Sequence, residues 1–198
     1  MNTLPVVLCF GGTDPTGGAG LTADTLTLAS LGCHAAPVVT AVTAQDTAGL
    51  KQFAACDPEL VIAQARAVLE DMPVAAIKTG MLVNAMLTAA VESILQDYPA
   101  IPLIVDPVLA TNAGQPLADE PLNEALRALL VPRATLLTPN SLEARALAPS
   151  ADSLDACAQE LLALGAEYVL ITGAHEPTAQ VVNRLHGARI TETFHYER

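Results

Sequence analysis

Six glycine-rich or polar clusters recur along this 198-residue chain, each after a short apolar run: GGTD from Gly11, TAQD from Thr43, KTGM from Lys78, DPVL from Asp106, TPNS from Thr138 and TGAH from Thr172. If the apolar runs are strands of an open α/β sheet, ligands bind at their carboxyl ends, and six such clusters on one rim make one composite site. The first cluster opens a loop, Gly11–Gly20, with five glycines and Asp14-Pro15. Glycine lets a backbone approach a ligand closely. The loop does not end in Gly-Lys-Ser/Thr, so it is not a Walker A loop. Gly18 to Ala23 does match G-x-G-x-x-A, the dinucleotide fingerprint, with Asp46 the acid nearest a ribose-binding position. A dinucleotide-dependent oxidoreductase rests on that match alone.

Other residues on the expected rim carry charge. Asp24 falls in the first turn of the helix expected after the loop, where it either complements the helix dipole or accepts hydrogen bonds from a ligand amine. Lys78 is one of only two lysines and reads as a snorkelling surface residue. Asp106, before Pro107, and Glu143, after Thr138-Pro139-Asn140, supply two carboxylates. Such a pair suits a hydrated Mg²⁺ bound together with nucleotide phosphates. A glycosidase would use two carboxylates without a metal. Helix capping is an equal reading for Asn140 and Glu143. His175 is either a nucleotide contact or a solvated turn residue. There is no Ser-His-Asp or Cys-His constellation with interpretable spacing.

The elements needed to place these residues alternate. Strands are expected at 5–10, 37–42, 74–77, 102–105, 134–137 and 168–171. Helices are expected at 21–31, closed by Gly32, at 58–69 behind Asp57, at 85–97 behind Asn84, and near 120–130, 142–147 and 154–164. The alternation predicts an α/β fold, a three-layer αβα sandwich around a mostly parallel sheet. Residues 180–185 and 189–195 flank His186-Gly187 and predict a C-terminal antiparallel hairpin. With no linker, repeat or low-complexity tract, residues 1–198 read as one domain.

Composition agrees. Apolar residues make up 52% of the chain and aromatics 3%, with no Trp, which suits an Ala/Leu/Val/Ile core between a parallel sheet and its helices. Nine basic residues and a net charge of −12 argue against a nucleic-acid partner. The cysteines, Cys9, Cys33, Cys56 and Cys157, are spread too widely for a zinc site and read as reduced thiols. The uncharged stretch 25–45 is long enough to span a bilayer, but Gly32, His34 and Pro37 break it into helix, turn and strand. The apolar run 4–10 is too short for a signal peptide. No membrane contact and a cytoplasmic location are expected.

In this order the motifs GGTDPTGGAGLTAD, TAVTAQDT, IKTGML, IVDPVLATNAGQPL, LLTPNSLEA and LITGAH resemble those of the hydroxymethylpyrimidine/phosphomethylpyrimidine kinases, members of the ribokinase-like superfamily. The resemblance implies ATP-dependent phosphorylation of hydroxymethylpyrimidine and its monophosphate in thiamine synthesis, and a homodimer. It implies that Gln45, Asp24 and Gly12 contact the aminopyrimidine and that Met81 and Val108 line its apolar faces. Thr172, Gly173, His175 and Asn140 would lie by ATP, and Asp106 and Glu143 would organise Mg²⁺. Relatives often carry Lys where Thr172 stands and Gly where Ala174 stands. They also continue into a G-[TS]-G-C segment, an anion hole with the catalytic Cys, which is absent here. The expectation is therefore a truncated or degenerate chain with no catalytic residue identified. A pyridoxal kinase-like enzyme and a non-catalytic pyrimidine-binding module remain the alternatives.

Overall fold

The structure is a computed structural model that describes residues 4–110 and 119–198; the 111–118 part of the IVDPVLATNAGQPL motif lies outside them. A sheet of order β3-β2-β1-β4-β5-β6-β7-β8-β9 organises the chain. Its strands are β1 (Val6–Gly12), β2 (His34–Asp46), β3 (Gly49–Ala55), β4 (Val74–Thr79), β5 (Leu103–Val105), β6 (Leu136–Leu137), β7 (Tyr168–Ile171), β8 (Val181–Gly187) and β9 (Ile190–Tyr196). Strands β2, β1, β4, β5, β6 and β7 run parallel, while β3, β8 and β9 are antiparallel additions. The helices are α1 (Gly20–Ser30), α2 (Pro58–Asp71), α3 (Ala85–Asp97), α4 (Glu120–Ala125), α5 (Ser141–Leu147) and α6 (Leu154–Ala163).

Local chemistry fixes most helix starts. The Asp57, Asn84, Asp119, Asn140 and Ser153 side chains each accept from backbone N–H groups of the first turn, which satisfies donors that have no intrahelical partner. Beyond α4 the chain continues through a π-helical turn at Leu126–Leu130 and a 3₁₀ turn at Val131–Arg133. There Pro132, which cannot donate, ends the helix.

The two faces of the sheet are covered unequally. Leu8, Phe10, Ile77, Leu103, Val105, Leu137, Val169 and Ile171 pack in one core with Val61 of α2, Leu87, Val91 and Ile94 of α3, Leu122 of α4, Leu147 of α5 and Leu161 of α6. Each fully buried Leu or Ile contributes about 1.5–3 kcal/mol. The intervening residues Cys9, Lys78, Ile104 and Leu136 are paired neighbours across the sheet and face the other side. There α1 lies against β1 and β2. Handedness explains the division: the β2-to-β4 crossover and those after it step towards β7, whereas the β1-to-β2 crossover steps the opposite way and puts α1 on the opposite face.

Two details differ from the sequence expectations. Residues 49–55 form β3, pairing with Ala41–Asp46 of a β2 that runs well past the end of β1. Their polar, weakly alternating sequence hid an exposed edge strand. The C-terminal hairpin turns at Ala188-Arg189 rather than His186-Gly187, since Gly187 pairs with Ile190. His186 is a strand residue, 3% exposed.

Candidate active site

Strand order reverses direction between β1 and β4, the switch point at which an α/β sheet opens a crevice. The glycine loop leaves β1 at this point. Asp14, 6% exposed, turns its carboxylate into the loop and accepts from the N–H groups of Thr16 (2.8 Å) and Ala19 (2.8 Å) and from the Thr16 hydroxyl (2.9 Å). Burial alone would raise its pKa. The Thr16 N–H, the Gln45 side chain, the Thr16 hydroxyl and the Ala19 N–H outweigh that and hold it below the usual carboxylate range. The loop's own carboxylate thus takes amides that a phosphate would need. Gly20 has φ +57°, and a Cβ there would stand 2.3 Å from the Gly12 carbonyl oxygen. Glycine is required at that close approach.

The overhanging β2–β3 ribbon is tied to the loop. Thr43 N–H donates to the Thr13 hydroxyl (3.1 Å), the Thr43 hydroxyl donates to the Thr13 carbonyl (2.6 Å), and Thr13 N–H donates to the Ala41 carbonyl (2.9 Å). These contacts set Gln45 opposite Asp14. A Cβ on Gly12 would meet Met81 Sδ at 3.3 Å and Thr43 Cγ2 at 3.6 Å. Gly12, Met81 and Thr43 therefore share one wall. Met81 is held by its carbonyl, which accepts from the buried Thr40 hydroxyl at 2.5 Å.

Asp24 does not sit in the first turn of α1, which starts at Gly20 and has no acid there. One turn further on, it meets Lys78. The Lys78 ammonium donates to both Asp24 carboxylate oxygens at 2.9 and 3.1 Å and lies 3.7 Å from Asp106 Oδ2. With its side chain 22% exposed, Lys78 is a buried-side ion-pair partner rather than a snorkelling surface residue. The Asp106 carboxyl is raised, by burial first and by Asp24 as well, with Lys78 opposing. Beside them Cys9 is buried and its thiol is pushed up to about 11, by burial and then by the Asp24 charge. It is an inert neighbour, since the thiolate is the reactive form.

Asn140 and Glu143 form a capping box: Asn140 Oδ1 accepts from Leu142 and Glu143 N–H, and Glu143 Oε2 accepts from Asn140 N–H at 2.8 Å. Glu143 Oε1 accepts from Leu109 N–H at 3.3 Å, tying α5 to the chain after Asp106 and Val108. Burial raises Glu143 to about 7 against those two amides, with the Asp106 charge adding. Thr172 bridges to Asn140 beside α5, and Gly173 N–H donates to Asn183 Oδ1 at 3.1 Å. A Cβ on Gly173 would meet the Val182 carbonyl at 2.2 Å, so packing against β8 already explains this glycine. His175 is exposed. Two groups result: Gly12, Asp24, Gln45 and Met81 with Lys78 and Asp106 around β1, β2, β4 and β5, and Asn140, Glu143, Thr172 and Gly173 around β6 and β7. Sequence reasoning passed over Thr13 and Thr43 and read Lys78 as a surface residue. The repeated Thr in TAVTAQDT was the available signal for Thr43.

A hollow of about 530 Å³ lies elsewhere, between α6 and the β8–β9 turn, lined by Gln159, Leu162, Arg189 and Thr191. It adjoins the amino end of β7, opposite the rim. Asp46, the ribose-binding candidate, accepts from Ala48 and Gly49 in its own turn and pairs with Lys51 at 3.4 Å. With the Ala19 amide given to Asp14 and the Gly18 amide to the Thr16 hydroxyl, this leaves the dinucleotide reading without a site.

The fold and rim define a class, the ribokinase-like small-molecule kinases. Phosphomethylpyrimidine kinase from Clostridium difficile superposes with a TM-score of 0.88 at 31% identity, over 98% of this chain and 85% of that one. Bacillus subtilis pyridoxal kinase, solved as an ADP complex, gives 0.87 at 27% identity over 98% and 75%. Within that class the chain belongs to the phosphomethylpyrimidine kinase family, whose model matches residues 14–198. The hydroxymethylpyrimidine/phosphomethylpyrimidine kinase of Mycobacterium tuberculosis is 44% identical over 178 residues, 87% of this chain and 65% of that protein. The chain thus spans slightly less than two thirds of such relatives.

Proposed function

We propose that the chain binds hydroxymethylpyrimidine at the β1–β4 crevice and acts in thiamine synthesis by phosphorylating its hydroxymethyl oxygen, and then the monophosphate, with ATP. The observation that carries this reading is the wall shared by Gly12, Met81 and Thr43, with the polar groups of Gln45 on the ribbon and Asp24 on α1 on the same rim. A flat heteroaromatic ring with an amine suits such a surface: its apolar faces would meet Met81 and Val108, and its edge donors the two polar side chains. Phosphoryl transfer asks mainly for positioning and charge stabilisation, and the rim supports the positioning part of this reading.

Asn140, Thr172, Gly173 and His175 are proposed to lie by the nucleotide. Among the described residues no three His, Cys, Asp or Glu side chains converge. Mg²⁺ keeps waters and phosphate ligands and needs only one or two carboxylates, which Asp106 and Glu143 would supply. Asp106 is the accessible carboxylate; Glu143, engaged by two amides, would act through water. When bound, the ion supplies charge neutralisation to the phosphates. We place the chain, as one domain, in the cytoplasm. Among the described residues no helix is long and apolar enough to cross a membrane. A homodimer is proposed from the family resemblance, and sedimentation checks it.

The test is parallel calorimetric titration with hydroxymethylpyrimidine and pyridoxal, followed by product mass analysis with ATP. Hydroxymethylpyrimidine is expected to bind more tightly and to gain a phosphate; preferential binding of pyridoxal would overturn the assignment. Binding without phosphorylation would favour a non-catalytic module. Gln45→Leu removes an edge contact and should weaken pyrimidine binding at least about tenfold.

A further inference from the structure

The Lys78 ammonium sits between carboxylates that belong to different parts of the proposed site. It holds both oxygens of Asp24 at 2.9 and 3.1 Å but only approaches Asp106, at 3.7 Å. The turn after β4 is cut to admit it: a Cβ on Gly80 would lie 3.0 Å from Lys78 Nζ. The other lysine, Lys51, is exposed on β3 and paired with Asp46. Lys78 therefore supplies the positive charge to this cluster.

We propose that Lys78 is a positioning residue that acts as a built-in counter-ion, holding the cationic position beside Asp106 until a divalent cation arrives with nucleotide phosphates. This rests on the reading that Asp106 takes the cation. An ammonium beside Asp106 repels a second cation, so the bare ion binds weakly. Phosphates bring negative charge that accommodates both, and the bidentate hold of Asp24 gives the ammonium a place to remain. The consequence is coupling: cation and nucleotide each strengthen the binding of the other, by the same factor.

The probe is Mn²⁺ alone, titrated by electron paramagnetic resonance into the chain without nucleotide, with circular dichroism confirming that each variant is folded. Lys78→Met should tighten Mn²⁺ binding about tenfold, Lys78→Arg should leave it near the parent value, and Asp106→Asn should abolish the gain. Asp24→Asn gives the opposite sign: with its tether gone the ammonium moves to Asp106 and Mn²⁺ binds several-fold more weakly. A purely structural role for Lys78 would move both variants in one direction. The proposal is overturned if Lys78→Met stays within about twofold of the parent, if its gain survives Asp106→Asn, or if Asp24→Asn binds Mn²⁺ more tightly. Should Lys78→Met not fold, the Asp24→Asn arm alone decides. No pyrimidine is present, so failure of the ring assignment leaves this result standing, and the reverse also holds.

Discussion

Glu143 joins a helix cap to a titration that should be visible in solution. Its carboxyl is raised from 4.5 to about 7, mainly by burial. The folded chain therefore binds this proton more tightly than the unfolded chain, so the contribution is full below about pH 4.5 and is lost as pH rises through about 7. The loss amounts to at most about 3 kcal/mol. Glu143→Gln keeps a capping-box acceptor but cannot ionise. Denaturant midpoints at pH 5 and pH 8 should differ less in this variant than in the parent; equal differences would refute the assignment. Asn140→Ala should cost about 1 kcal/mol by removing the cap. Asn140 and Glu143 were legible as a cap because their partners lie within three residues. Asp24 was not: its partner Lys78 is 54 positions away, and only the pairing of β1 with β4 brings them together.

At the scale of elements, the parallel strands and their helices could be read because apolar runs, caps and Gly32 are local signals. The β2–β3 ribbon could not. Its stability comes from the Thr13–Thr43 hydrogen bonds and from pairing, and edge strands carry little apolar pattern. The glycine loop yields a sharp prediction. Gly20→Ala places a methyl group against the Gly12 carbonyl at a left-handed φ and should cost about 3 kcal/mol or more in chemical denaturation. Gly32→Ala, also at positive φ (75°) but with nothing within 4 Å, should cost only about 1 kcal/mol. Equal losses would mean that the close approach to Gly12 is relieved by movement of the loop. The dinucleotide fingerprint misled for a physical reason: the spacing of Gly18 and Gly20 describes a backbone path, while the direction of the amides depends on Asp14.

For the whole molecule the unequal faces of the sheet dominate. Leu161 of α6 is fully buried in the main core, whereas Leu26 of α1 is 63% exposed. Leu161→Ala should lower stability by about 2–5 kcal/mol and Leu26→Ala by less than about 0.5 kcal/mol, as read from urea unfolding. Alternation along the strands suggested helices on both faces, but not how many on each; that follows from strand order, which a single sequence does not display. Helix α1 buries Leu21 alone yet carries Asp24 to the crevice. It rests on β1 and β2, and Leu21 lies outside the main core cluster. A lineage could therefore retune the width and polarity of the crevice by small changes along α1, altering ligand preference while the rest of the architecture is inherited intact.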